Sequence, residues 1–142
     1  MFSDSTIDPS TIQAFLDTDY RVHSDAPVTL NTGVANPMLA ALHKAYGVES
    51  SAYVTACNPF SQAFDESVNA DRQSALACEL QQLNLTYIQG IGQHPTNNWP
   101  GERSFLVLNL SREAAMALGI RHEQNAIVWC GLDAVPELIL LR

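Results

Sequence analysis

Lysine is almost missing from this 142-residue chain. Lys44 is the only one, and the basic total of 7 faces 15 Asp and Glu, a net charge of −8. A chain so short of clustered cations cannot neutralise a run of phosphates, which excludes nucleic acid as a general electrostatic partner. Long hydrophobic runs are missing too: none reaches the ~20 residues of a membrane helix, so no membrane partner is expected. Cysteine is sparse. Cys57, Cys78 and Cys130 are odd in number and widely spaced, with no CxxC or Cys/His pattern, so they read as buried reduced thiols. The opening Met1-Phe2-Ser3-Asp4 has neither the basic nor the apolar region of a secretory signal and is too acidic for a transit peptide. A cytoplasmic location is expected.

Familiar catalytic signatures are missing as well. Gly90-Ile91-Gly92 lacks a third glycine and precedes no helix, so it is not a dinucleotide loop. There is no GxSxG elbow, no HExxH and no Walker lysine. His23, His43, His94 and His122 are scattered without ligand spacing, so neither a metal nor a cofactor is expected. His43, beside Lys44, reads as a surface residue. His94 lies in the long loop 93–103 and is the one histidine that qualifies as a weak acid–base candidate. Trp99 in the same loop is a candidate stacking ring.

What is present is enough apolar matter, 46% of residues, for one core over 1–142, burying about two-thirds of the extended chain's surface. Charge is uneven. Residues 1–25 hold Asp4, Asp8, Asp17, Asp19 and Asp25 against one Arg21, half of the net charge. They read as an acidic, solvated N-terminal extension or, more sharply, as a patch for a basic protein partner.

Helix punctuation is clear. Asp8-Pro9 is an N-cap followed by proline at the first helical position, opening a helix to about Leu16. Asn36-Pro37 repeats the device, with Gly47 as its stop; Ser111 caps a third helix that Gly119 is expected to end. The longest helix is predicted over 66–83, where Ala, Leu, Gln and Glu dominate. Strands are predicted near 20–23, 52–57, 85–91, 104–110, 126–130 and 137–141. From Ala52 onward the order is strand, helix, strand, strand, helix, strand. The expected fold is a single α+β domain with a ferredoxin-like β-α-β-β-α-β core, two additional N-terminal helices and an extra C-terminal strand.

The long helix carries two residues out of place. At about 100° per residue from Val68 at 0°, Leu83, Leu76 and Leu80 fall near 60°, 80° and 120°, and the four define an apolar face from 0° to about 120°. Arg72 falls near 40° and Asn69 near 100°, inside the same sector and three residues apart. A guanidinium on a buried face must be paired. Either Arg72 meets a carboxylate such as Glu102, or Arg72 and Asn69 form the floor of a pocket for a ligand carboxylate or phosphate. Asn58, before Pro59 at a strand end that feeds this helix, is expected to be extended and to turn the chain with its amide.

The stretches Ala52-Tyr53-Val54-Thr55-Ala56-Cys57-Asn58-Pro59, Asn69-Ala70-Asp71-Arg72, Trp99-Pro100-Gly101-Glu102-Arg103-Ser104-Phe105 and Glu123-Gln124-Asn125-Ala126-Ile127-Val128, in this order and with Gly92 between the second and the third, resemble the bacterial family known as domain of unknown function 3293. The resemblance covers about residues 50–140. It implies recurrent polar positions at Thr55, Asn58, Asn69, Arg72, Glu102, Ser104 and Gln124, and no activity. Cys57 departs from the pattern, in which an aromatic is common, and this argues against a cysteine nucleophile. Such a cluster is a hydrogen-bonded network or a small-ligand pocket. The expected function is binding of a small anionic or nucleotide-like ligand around Arg72, with Asn58, Asn69 and Gln124 orienting it and Glu102 as a weak candidate base. The alternative is an inhibitor- or immunity-type interaction module that uses the acidic N-terminal segment.

Overall fold

The computed structural model describes residues 4–142. Its elements are α1 (Pro9–Asp17), β1 (Asp19–Val22), β2 (Val28–Leu30), α2 (Pro37–Tyr46), β3 (Ser51–Val54), a 3-10 turn (Pro59–Ser61), α3 (Glu66–Gln82), β4 (Tyr87–Gln93), β5 (Glu102–Leu108), α4 (Arg112–Arg121), β6 (Ala126–Cys130) and β7 (Pro136–Leu140). The strands form one seven-stranded sheet in the order β2-β1-β4-β5-β3-β6-β7, with every neighbouring pair antiparallel. The fold is mixed α and β. Among the described residues no helix is long and apolar enough to cross a membrane.

The helix starts follow from local chemistry. Asp8 accepts from the Ser10 amide at 2.9 Å, Asn36 from Leu39 at 3.0 Å and Ser111 from Ala114 at 3.1 Å, each satisfying a first-turn donor that has no helical partner. Gly47 ends α2 in the left-handed conformation, as expected. Gly119 does not end α4, which continues to Arg121. A Cβ at Gly119 would meet Leu141 at 2.6 Å and Ile127 at 2.7 Å, so this glycine lets the helix lie close on the sheet instead.

Within the acidic N-terminal segment, β1 lies inside the sheet between β2 and β4. Strand β2 was not foreseen: three residues behind a proline are too short for an alternation signal. At the β1–β4 seam Gly90 is required, since a Cβ there would run into the Arg21 carbonyl.

Both faces of the sheet are covered, which is why the central strands read as unbroken apolar runs. On one face Ala52, Val54, Phe105 and Val107 meet Leu76 and Leu80 of α3 and Leu118 of α4. On the other Tyr53, Leu106, Leu108 and Val128 meet Ile12 of α1 and Leu39 of α2. Each fully buried leucine contributes about 1.5–3 kcal/mol relative to exposure. His43 belongs to this second face, not to the surface. One turn beyond Leu39, it is buried and shares a 2.8 Å hydrogen bond with Ser51. Of the three free thiols Cys57 and Cys130 are buried, but Cys78 lies on the outer side of α3 and is exposed.

The buried face of α3 is also rotated from the expected one. Gln73, Leu76 and Leu80 are buried, while Val68 and Leu83 are largely exposed. The face therefore centres near Leu76 and Leu80, and Arg72 sits on its edge.

Candidate functional site

A cavity of about 250 Å³ opens between α1 and one end of the sheet. Helix α1 supplies Ser10, Thr11, Ala14 and Phe15; β1 and β3 supply Tyr20 and Tyr53. The polar side comes from Thr55 and Asn58 after β3, His94 and Trp99 in the loop 94–101, Glu102 and Ser104 on β5, and Gln124 before β6. Asn69 and Arg72 do not line it. Asn69 lines an adjoining cavity of about 430 Å³, with Cys57 and Phe64, and the two cavities share Asn58, Trp99 and Glu102.

Asn58 is the hinge of this arrangement. It is not extended as its place before proline suggests, but left-handed at φ 49°, and Phe60 and Ser61 follow at φ 54° and 59°. Such a run is costly for residues with a Cβ, above all for an aromatic, and persists only where the surroundings hold it. Asparagine tolerates it best, and here its side chain is tied on every side. Asn69 accepts from the Asn58 backbone amide at 2.8 Å and donates to Asn58 Oδ1 at 2.9 Å, while the Phe64 amide donates to the same oxygen at 3.0 Å. A backbone N–H can only donate, so Oδ1 is fixed and the Asn58 Nδ2 faces Glu102, donating to Oε2 at 2.7 Å.

Glu102 is a half-buried carboxyl. Desolvation pushes its pKa above the ordinary carboxylate range, and the Asn58 amide and Trp99 indole, which favour the anion, pull back only in part. None of the ion pairs among the described residues involves it. The neighbouring rings are buried. Tyr20 donates to Phe15 O at 2.6 Å and Tyr53 to Arg21 O at 2.7 Å, and burial raises both phenols. The two rings meet edge to face at 5.3 Å.

The other polar residues brace backbone. Thr55 donates to Arg103 O at 2.6 Å, Ser104 donates to Glu102 O at 3.1 Å, and Gln124 Nε2 donates to Cys57 O and His122 O, both at 3.1 Å. His94 Nδ1 accepts from the Thr96 and Asn97 amides at 3.1 and 3.0 Å, which keeps its proton on Nε2, 3.9 Å from Asp17. The ring thus folds the loop and faces the cavity with one edge.

Arg72 takes a different place from the one expected. Its Nε donates to Ala56 O at 2.8 Å, one terminal nitrogen to His122 O at 2.9 Å, and the other faces Glu123 at 3.4 Å. The carboxylate partner is Glu123, not Glu102, and the guanidinium is aimed at carbonyls rather than at the cavity. Sequence reasoning also missed Gln73, whose Oε1 accepts from the Ala56 amide at 3.0 Å and whose buried Nε2 has no partner. Centring the helical wheel on Leu76 and Leu80 would have placed Gln73 among the buried positions.

The family described as "Protein of unknown function (DUF3293)" matches residues 54–127, just over half of the chain. The chain belongs to this family. No curated protein and no solved structure matches it. The DUF3293 segment supplies the polar rim of the cavity, from Thr55 to Gln124, whereas α1 and Tyr20, which close it from above, lie outside the matched residues. Among the described residues no group of three His, Cys, Asp or Glu side chains is placed to hold a metal ion.

Proposed function

We propose that this DUF3293 chain binds a small organic ligand in the cavity between α1 and the sheet, with Glu102 and Asn58 at its centre. The observation that carries the reading is convergence: Thr55, Asn58, Glu102, Ser104 and Gln124, recurrent polar positions scattered along the segment, all line one cavity. The run of left-handed residues beside it is strain of the kind that clusters at working sites. Glu102 is the group most suited to proton transfer, because burial moves its pKa toward neutrality. An anionic ligand held by Arg72 has less support, since that guanidinium is occupied by Ala56 O, His122 O and Glu123.

The basic-partner reading of the acidic segment is weakened in the same way. Asp8 caps α1, Asp17 accepts from Gln13, and Asp19 accepts from Asn31 at 2.8 Å, so these carboxylates serve the fold. The strand order β4-β5-β3-β6, with α3 and α4 as the crossovers, supports a ferredoxin-like core within the larger sheet. Two buried unpaired thiols fit a cytoplasmic protein.

A thermal-shift screen with small amines, amides, nucleosides, sugars and carboxylic acids tests the ligand reading, with Ala14→Phe as the variant that fills the cavity from α1. Occupancy at 100 times Kd stabilises by about 2.7 kcal/mol, several degrees for a chain of this size. At least one class is expected to raise the Tm of the wild type and not of Ala14→Phe. Equal shifts in both proteins, or none in the wild type, would overturn the proposal.

A further inference from the structure

Resting on that cavity reading, we infer that the ligand carries a cationic nitrogen, a protonated amine or amidinium, seated on the Glu102 carboxylate among the aromatic rings. The argument is a count of donors. Each hydroxyl or phenol has one hydrogen to give. Tyr20 gives its own to Phe15 O, Tyr53 to Arg21 O, Thr55 to Arg103 O and Ser104 to Glu102 O. Four hydroxyl groups around the cavity are thus committed to backbone carbonyls. The donors found on the carboxylate itself are the Asn58 amide and the Trp99 indole, both neutral, and the Thr11 and Ser61 hydroxyls that also line the cavity donate nothing to it.

A carboxylate accepts about four hydrogen bonds, and one withdrawn from water without a cation is costly. The residues around the cavity include Glu102 and one histidine, His94, whose Nε2 faces Asp17 at 3.9 Å, but no lysine or arginine. The protein has therefore built the acceptor and left out the cation. The Phe64 and Asn69 donors fix the Asn58 oxygen, so the amide group that Asn58 turns to Glu102 is its neutral Nδ2 donor and carries no charge. The walls add a second preference of the same sign. Phe15, Tyr20, Tyr53 and Trp99 surround the space, and aromatic faces attract cations and repel anions. A neutral alcohol or amide would supply donors without the charge; an anion would supply neither.

Three probes of one shape separate these cases: benzamidine (cation), benzamide (neutral) and benzoate (anion). Each is titrated into the full chain while the indole N–H resonances are followed by NMR. Trp99 reports on the cavity, and Trp129, whose indole donates to Leu110 O within the opposite core, serves as the internal reference. Benzamidine is expected to bind at least about tenfold more tightly than benzamide, with benzoate leaving Trp99 unmoved. Glu102→Gln is expected to bring benzamidine down to the level of benzamide. Should that variant fail to fold, the ranking of the three probes on the wild type still decides. If benzamide or benzoate shifts Trp99 as strongly as benzamidine, the cationic inference falls while the cavity reading stands. Silence from all three also overturns the cationic inference, and the cavity reading then rests on the thermal-shift screen alone.

Discussion

Arg72 and Glu102 grip the same short segment, one at the Ala56 carbonyl and the other through the Asn58 amide, and the fold treats the two charges in opposite ways. The arginine is saturated by its own protein, with two carbonyls and the Glu123 carboxylate in reach. It ties the exit of β3 to the turn between α4 and β6 and faces no cavity. The carboxyl is half-buried like the arginine but has only neutral donors on it. A charge that the protein satisfies is a strut; one that it withdraws from water and leaves without a counter-ion is where a ligand's charge belongs.

The contrast can be broken experimentally, and the largest effect is expected at the strut. Arg72→Ala removes three interactions and leaves the Ala56 carbonyl without its side-chain donor, while His122 O keeps only Gln124, so urea denaturation should show a loss of about 2–4 kcal/mol with little change in m. Arg72→Lys should recover less than half, because an ammonium cannot reproduce the fork. If Arg72→Ala instead keeps its stability and loses ligand shifts, the two roles are reversed.

Next in size is the joint between them. Asn58→Ala loses the amide that orients Glu102 and puts an ordinary Cβ in the left-handed region, for a cost of about 2–3 kcal/mol. Asn58→Gly keeps the backbone freedom, and its denaturation midpoint should show about 1 kcal/mol less damage. The difference between the two variants separates strain from hydrogen bonding.

At Glu102 the sign is the informative part. Burial holds its pKa in the folded chain above that in the unfolded chain, so the folded chain keeps the proton longer. Stability is then lost as pH rises from the ordinary carboxylate range through the raised value. Glu102→Gln is expected to flatten this decline and to raise Tm at neutral pH, as read by thermal melts from acid to neutral pH. A fall in Tm at neutral pH would mean that the carboxylate is satisfied after all. The smallest effect is expected at Glu123→Gln. Its 3.4 Å pair with Arg72 is half-exposed, and double-mutant analysis should give less than about 1 kcal/mol.

Much of the frame was legible before any coordinates, and the parts that were share a cause. Asp8-Pro9, Asn36-Pro37 and Ser111 announce helix starts because capping is settled within four residues of chain. The central strands showed as apolar runs because both of their faces are covered. Gly119 was misread because its reason is a contact with Leu141 and Ile127, which no local pattern records. His43 was misread likewise; Ser51, its partner, arrives from the next strand. The wheel drawn from Val68 took an exposed valine as its anchor and so placed Arg72 deeper, and Gln73 shallower, than they lie.

The sequence by itself determined which residue types this part of the chain concentrates: Thr55, Asn58, Asn69, Arg72, Glu102, Ser104 and Gln124 stood out as polar groups in and beside apolar elements. Tertiary structure alone decided their division of labour. The order β4-β5-β3-β6 carries Thr55, Glu102, Ser104 and Gln124 to one end of the sheet under α1, and it carries Arg72 to the far side of the segment 56–58. Whether a buried charge is a strut or a recognition group depends on which donors are already spent nearby. That is a property of packed neighbours, and no spacing along the chain encodes it.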